Sequence, residues 1–138
     1  MLRRAARDLL TAFPACVCLV LNAAAQKGVL VDDAWIFYRY AGNWAAGLGP
    51  VFNTGERVEG YSSLLWTALL ALGSRLSWRP ESLAPLLGLF FGCLTLILVV
   101  ALTRRFVPHS SWLPIATPLA VSLSTGLAYF AVAGMETP

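Results

Sequence analysis

Apolar residues run through this chain in long charge-free blocks, without the short alternation or regular polar face of a water-soluble element. A helix needs about 20 mostly apolar residues to cross the hydrocarbon core of a bilayer. Residues 83–102 meet that requirement outright, with no charge inside and Arg104 and Arg105 directly after. Residues 112–133 meet it too, with Pro114 and Pro118 confined to the first turns, where proline does least harm. Residues 9–25 are uncharged, slightly short, and preceded by Arg3, Arg4 and Arg7. A basic start, an apolar middle and Ala23-Ala24-Ala25 also resemble a cleavable signal peptide. The apolar stretch is longer than a usual signal core, which favours a retained span. The apolar stretch 64–72 is short for a span and reads as interfacial or re-entrant, with Trp66 and Trp78 as interface anchors.

Two topologies follow. With three spans, the N-terminus and residues 104–109 are cytoplasmic and residues 26–82 form a large outer loop. With four, Arg75 and Arg79 move inside and Arg104 and Arg105 move outside. Lys and Arg divide evenly in both schemes, so charge counting does not choose between them. Segment length and the tight Arg104-Arg105 pair favour three. The expected fold is therefore an all-α, multi-pass membrane protein with spans near 9–25, 83–102 and 112–133. Short interfacial helices are expected near 33–46 and 62–76.

Composition sharpens this picture. Of 138 residues, 58% are hydrophobic and only 12% charged, with a mean hydropathy of +0.69. Soluble domains carry about one quarter charged residues. The net charge of +3 does not indicate nucleic acid, because the arginines flank apolar runs. Cys16, Cys18 and Cys93 lie inside those runs and read as small buried hydrophobes. No histidine or further cysteine stands near Cys16 and Cys18 to complete a metal site. His109, alone in a short inner loop, receives no role.

Five of the seven acidic residues, Asp32, Asp33, Glu56, Glu59 and Glu81, fall in the outer loop. Long polar loops between spans concentrate function. In Val31-Asp32-Asp33-Ala34-Trp35-Ile36-Phe37-Tyr38-Arg39-Tyr40-Ala41-Gly42-Asn43-Trp44, either aspartate is placed to cap a helix that ends near Gly47 and Gly49. Phe37, Tyr40 or Ala41, Trp44 and Leu48 would form its membrane-facing stripe, and Asp32, Arg39 and Asn43 another face. Taken alone, the Asp pair reads equally well as a plain helix cap. Asn53-Thr54-Gly55 supplies a tight turn, across which Val51-Phe52 and Arg57-Val58 are expected to pair as a short hairpin. Glu56-Arg57-x-Glu59, out of context, is a solvated charge cluster. The three-span scheme puts Glu136 on the same face as Asp32 and Asp33, and the four-span scheme puts it on the opposite face.

The stretches Asp32-Asp33-Ala34-Trp35-Ile36-Phe37-Tyr38-Arg39-Tyr40-Ala41, Phe52-Asn53-x-Gly55-Glu56-Arg57-Val58-Glu59-Gly60-Tyr61-Ser62-Ser63 and Gly134-Met135-Glu136-Thr137-Pro138 resemble the N-terminal part of the C-type (GT-C) glycosyltransferase superfamily. Terminal arabinofuranosyltransferases of actinobacterial cell walls are the nearest likeness. Protein mannosyltransferases and lipid A aminoarabinose transferases are more distant. The resemblance covers essentially the whole chain, in order. It implies a catalytic aspartate in the first outer loop, matched by Asp32 or Asp33, and an acidic residue in the second, matched by Glu136. It also implies a bacterial inner-membrane location with a cytoplasmic N-terminus. Members are several times longer, so the chain is expected to be the front part of such an enzyme, without the later spans that help hold the donor.

The expected chemistry is inverting transfer of a sugar from a polyprenyl-phosphate donor to a hydroxyl of a cell-envelope glycan or glycolipid, at the extracytoplasmic face. Asp32 is the expected base, and Asp33 its orienting or metal-facing neighbour. Arg39, Arg57 and Lys27 are the candidate cations beside the leaving phosphate, arginine having the geometry to grip it through two parallel bonds. Glu59, Tyr61 and Glu136 are further donor or substrate contacts. A divalent cation (Mg, Mn or Ca) held by Asp33 and Glu136 is a possible cofactor, oxygen ligands suiting all three. The alternatives are a transporter fragment or a non-catalytic membrane anchor. A transporter would place ionisable residues near the bilayer midplane, and the three apolar runs contain none.

Overall fold

The computed structural model describes residues 2–26, 31–56 and 58–135, so Lys27, Arg57 and Glu136 lie outside the described residues. These residues form α1 (Leu2–Ala25), α2 (Ala34–Ala45), α3 (Leu64–Arg75), α4 (Pro80–Phe106), α5 (Leu113–Ser122) and α6 (Thr125–Val132), with no strand among them. Two helices are long and apolar enough to cross a membrane, Arg3–Ala25 and Pro80–Phe106. A third crossing exists if α5 and α6 count as one segment, but that segment is bent by 59°.

The chain composition of α4 explains how it packs. Pro80 opens the helix, Glu81 stands in its first turn, and Arg104 and Arg105 stand in its last, each charge favourable to the helix dipole. Ala84, Gly88, Gly92, Leu96 and Val100 form a buried stripe at intervals of four. Leu86, Phe90, Leu94, Leu98 and Leu102 form an equally regular stripe that is exposed. A helix in water would carry polar residues on that outer face. Lipid is the solvent that suits it.

The small residues of the inner stripe set the spacing. A Cβ on Gly88 would come within 2.1 Å of the Ala131 carbonyl oxygen, so α4 and α6 touch backbone to backbone. A Cβ on Gly92 would meet Leu19 of α1 at 2.9 Å. Small residues at intervals of four permit such close helix approach in membranes, where dispersion and polar contacts replace the hydrophobic effect. Around them Ala15, Leu19, Ala23, Leu96 and Ala128 make one core.

Residues 112–133 were expected as a span, and within them the helix breaks between α5 and α6. A helix end leaves carbonyls without partners, and lipid offers no donors. Asn22 of α1 supplies one: its Nδ2 donates to the carbonyls of Ser122 at 3.3 Å and Ser124 at 3.5 Å. The bend is thus held by a polar side chain from the neighbouring helix.

The start of α1 meets the end of α4, where Asp8 and Arg104 lie 3.0 Å apart. At the opposite end, α2 and α3 pack on each other and on the start of α4, around Phe37, Tyr38, Ala41, Trp66, Leu70 and Ala84. Trp66 was expected as an interface anchor. It is buried instead, and its Nε1 donates to the Gly134 carbonyl at 3.3 Å, tying α3 to the end of α6. Trp78 is exposed, as an anchor would be.

Replacing Gly88 by alanine should destabilise the bundle by about 1–3 kcal/mol through overpacking. Replacing Gly42, where a Cβ meets nothing within 4 Å, should be neutral or stabilising. Thermal unfolding in micelles checks both. Equal melting temperatures for G88A and G42A would contradict the close approach of α4 and α6.

Candidate functional site around helix α2

Helix α2 is the scaffold on which most of the candidate residues sit. It ends in a Schellman arrangement: Leu48 N–H bonds the Asn43 carbonyl at 3.0 Å and Gly47 N–H the Trp44 carbonyl at 3.1 Å, with Gly47 at φ +86°. Its start departs from expectation. Asp33 occupies the capping position, yet its backbone is helical and its side chain makes no capping bond. The amides of Ala34, Trp35 and Ile36 already bond the carbonyls of Val31, Asp32 and Asp33 at 2.9–3.1 Å, so the first turn needs no carboxylate. The Asp pair is therefore not explained by capping, and both residues are exposed.

The stripe expected on the membrane surface is also placed differently. Phe37, Tyr40 and Ala41 are buried against α3 and the following loop, because that loop folds back across α2. Tyr40 holds it with its hydroxyl, which donates to the Val58 carbonyl at 2.6 Å and accepts from Gly60 N–H at 2.9 Å. Its ring meets Tyr61 edge-on at 5.0 Å. Asn43 Nδ2 donates to the carbonyls of Val51 at 2.8 Å and Phe52 at 3.0 Å. These carbonyls are bound to side chains of α2, and no hairpin forms among the described residues. The turn itself is present: Glu56 N–H bonds the Asn53 carbonyl at 3.2 Å, with Gly55 at φ +91°.

Arg39 shares this clasp. Its Nε donates to the Phe52 carbonyl at 2.9 Å and its Nη2 to Asn53 Oδ1 at 3.2 Å, with the guanidinium 4.9 Å from the Phe52 ring centroid. It also lines a hollow of about 410 Å³ with Trp35, Ile36, Tyr38, Phe52 and Glu81. Glu81 was read from sequence only as one more loop acid. Its one local signal is the Pro80-Glu81 helix start, which marks a favourable first-turn charge and says nothing of a site. The Tyr38 hydroxyl is buried with no hydrogen-bond partner among the described residues, and the same holds for Glu81 Oε2, whose ion pair to Arg79 is 3.6 Å long. Burial first, and the charge of Glu81 second, push the Tyr38 phenol up to about 12, so it remains a donor across the physiological range. Aromatic faces beside a guanidinium, a carboxylate and a free phenol suit a ligand rich in hydroxyls.

Three of the other candidates line two further hollows. Asp33, Ile36, Phe37, Gly60, Ser62 and Met135 line one of about 260 Å³. Glu59 and Tyr61 line another of about 440 Å³ with Leu48, Pro50 and Val58. The structure thus brings Asp33 to Met135, Arg39 to Glu81, and Glu59 to Tyr61, each in its own hollow. Met135 precedes Glu136, and Gly134 sits against Tyr38, where a Cβ would come within 2.1 Å of the hydroxyl. Among the described residues no group of three or more acids, cysteines or histidines is placed to hold a metal ion, and Glu136 lies outside them.

Fold and site together define a helical bundle of membrane type that carries an aromatic and acidic platform at one end. Over 87 residues, 62% of this chain, the sequence is 38% identical to the terminal beta-(1->2)-arabinofuranosyltransferase of Mycobacterium tuberculosis. Over 110 residues, 76% of the chain, it is 36% identical to the protein of the same name from Corynebacterium glutamicum. The resemblance to terminal arabinofuranosyltransferases therefore stands on aligned sequence. The chain matches 14% and 16% of the lengths of these relatives. No protein-family model matches it, and no solved structure does.

Tyr40→Phe should loosen the loop locally, since two backbone groups lose their partner at about 1–3 kcal/mol. Hydrogen exchange at the Gly60 amide should quicken while the helical content stays unchanged. Unaltered exchange there would show that the hydroxyl does not hold the loop.

Proposed function

We propose that the chain forms the acceptor-side platform of a cell-envelope glycosyltransferase of the GT-C type, which moves a pentose or hexose from a polyprenyl-phosphate donor to a glycan or glycolipid hydroxyl. The observation that carries this reading is the meeting of two chain segments far apart in sequence. Asp33, at the start of α2, shares a hollow with Met135, the neighbour of Glu136. Similarity to two terminal arabinofuranosyltransferases supports the reaction class and an arabinofuranosyl unit as the group transferred.

In this reading α1, α4 and the bent pair α5–α6 are three spans, with residues 26–82 and the Met135 end on the extracytoplasmic side and the N-terminus in the cytoplasm of a bacterial inner membrane. The donor's prenyl tail stays among lipids while its phosphosugar reaches α2. Asp32 takes the proton from the acceptor hydroxyl as that oxygen attacks the anomeric carbon. The bond from that carbon to the lipid phosphate breaks, the carbon inverts, and the phosphate leaves with the electron pair. Arg39, with Arg57 and Lys27, neutralises the charge that grows on the phosphate. Asp33 orients the base. With Glu136 it would also hold a divalent cation, which would add positive charge beside the phosphate. Glu59 and Tyr61 contact the acceptor side. The clasp of Arg39 onto the 52–53 loop fits such a role, because it fixes the guanidinium beside an aromatic hollow.

Asp32→Asn should lower transfer about a hundred- to ten-thousand-fold, the usual contribution of a general base. Asp33→Asn should also lower it, and neither should change thermal stability, since neither carboxylate is buried. Transfer of radiolabelled arabinose from the lipid donor in isolated membranes is the measurement. Full activity in both variants would remove the proposed base.

A further inference from the structure

We propose that the cleft between the start of α1 and the end of α4 binds the headgroup of an anionic phospholipid, preferentially one with two phosphates. This end of the bundle is remote from α2, and the inference does not rest on the glycosyltransferase reading.

Arg3, Arg4 and Arg7 of α1 and Arg104 and Arg105 of α4 converge on a hollow of about 870 Å³, walled on its apolar side by Ala101 and Leu102. Asp8 is the one acid among the described residues of its lining. It is already matched: Arg104 Nε lies 3.0 Å from its carboxylate, and Arg104 Nη2 donates to Thr11 Oγ1 at 2.6 Å. Four guanidinium groups remain without a carboxylate among the described residues of the cleft. Helix stability does not explain Arg3 and Arg4, which stand in the first turn of α1, where the dipole disfavours positive charge and no acid is present. The positive-inside rule asks for basic residues near a span and is indifferent to their convergence from two helices on one hollow.

The surroundings choose a lipid over a free anion. Leu10, Phe13, Leu98 and Leu102 are exposed on the same two helices as they lead away from the cleft. Acyl chains would lie along them while the phosphates met the arginines. Guanidinium groups bind phosphate through paired, charge-assisted bonds, and basic pockets between helices suit multiply charged headgroups. Four free cations match two phosphates better than one.

The protein is purified in a neutral detergent and titrated with cardiolipin, phosphatidylglycerol or phosphatidylcholine in mixed micelles, with retained lipid read by native mass spectrometry and melting temperature in parallel. Cardiolipin should bind tightest, phosphatidylglycerol less tightly, and phosphatidylcholine should not be retained. The double variant Arg4→Gln/Arg105→Gln should weaken cardiolipin binding about tenfold or more, given the usual contribution of each basic residue near a charged lipid surface. Arg4→Lys/Arg105→Lys, which keeps the charge and loses the paired bonds, should weaken binding less than the glutamine pair does. If the glutamine pair fails to fold, Arg105→Gln alone should weaken cardiolipin binding about fivefold, the share of one basic residue, and undiminished binding by it would overturn the proposal equally. Arg75→Gln, at the opposite end, should change nothing. Equal retention of phosphatidylcholine, undiminished binding by the glutamine pair, or displacement of cardiolipin by millimolar inorganic phosphate would each overturn the proposal.

Discussion

Where α4 meets α6, the Ala131 carbonyl occupies the space that any side chain on Gly88 would need. Bundles in lipid gain little from simple apolar burial between helices, so an approach this close has to be permitted by missing side chains. Ala84, Gly88 and Gly92 supply that permission along one face of α4. The approach fixes where α6 ends. Gly134 then rests on Tyr38 and accepts the Trp66 indole bond, and Met135 arrives beside Asp33. The geometry of the candidate site is therefore inherited from helix packing some distance away from it.

The two ends of the bundle have opposite chemistry. One carries α2, its folded-back loop, Asp33, Arg39 and Glu81, with aromatic rings between the charges. The other carries five arginines and a single paired aspartate. Between them the outer faces are apolar and the polar contacts point inward: Asn22 to the break in α5–α6, and Thr103 to Thr117 at 3.0 Å. This division is what a bilayer imposes, since unsatisfied polar groups are costly in hydrocarbon and charged groups collect at its edges.

Much of this was legible in the sequence because length and charge-free composition are strong signals for α1 and α4. The end of α2 and the turn at Gly55 were legible from Gly47 and glycine's backbone freedom. The bend after Ser122 was not, since Ser122 and Ser124 look like ordinary small polar residues in a span, and the donor that satisfies the break comes from Asn22, a hundred residues earlier. Trp66 misled because an indole on a short apolar helix gives the same pattern whether it faces headgroups or a core. Among the described residues the hairpin is absent for a similar reason: side chains of α2 compete for the loop carbonyls, and alternation along the loop does not reveal them. Glu81 was passed over because nothing local distinguishes it. Its place beside Tyr38 and Arg39 depends on α4 starting against α2.

The account turns on the start of α2 and the end of α6 lying at one end of the bundle, with the arginines at the other. In a background lacking Cys16, Cys18 and Cys93, single cysteines at Trp35, Met135 and Arg105 can be exposed to a membrane-impermeant thiol reagent in sealed vesicles of known orientation. Labelling of positions 35 and 135 from one face, and of 105 only from the other, is the predicted result. Labelling of 135 and 105 from the same face would contradict it.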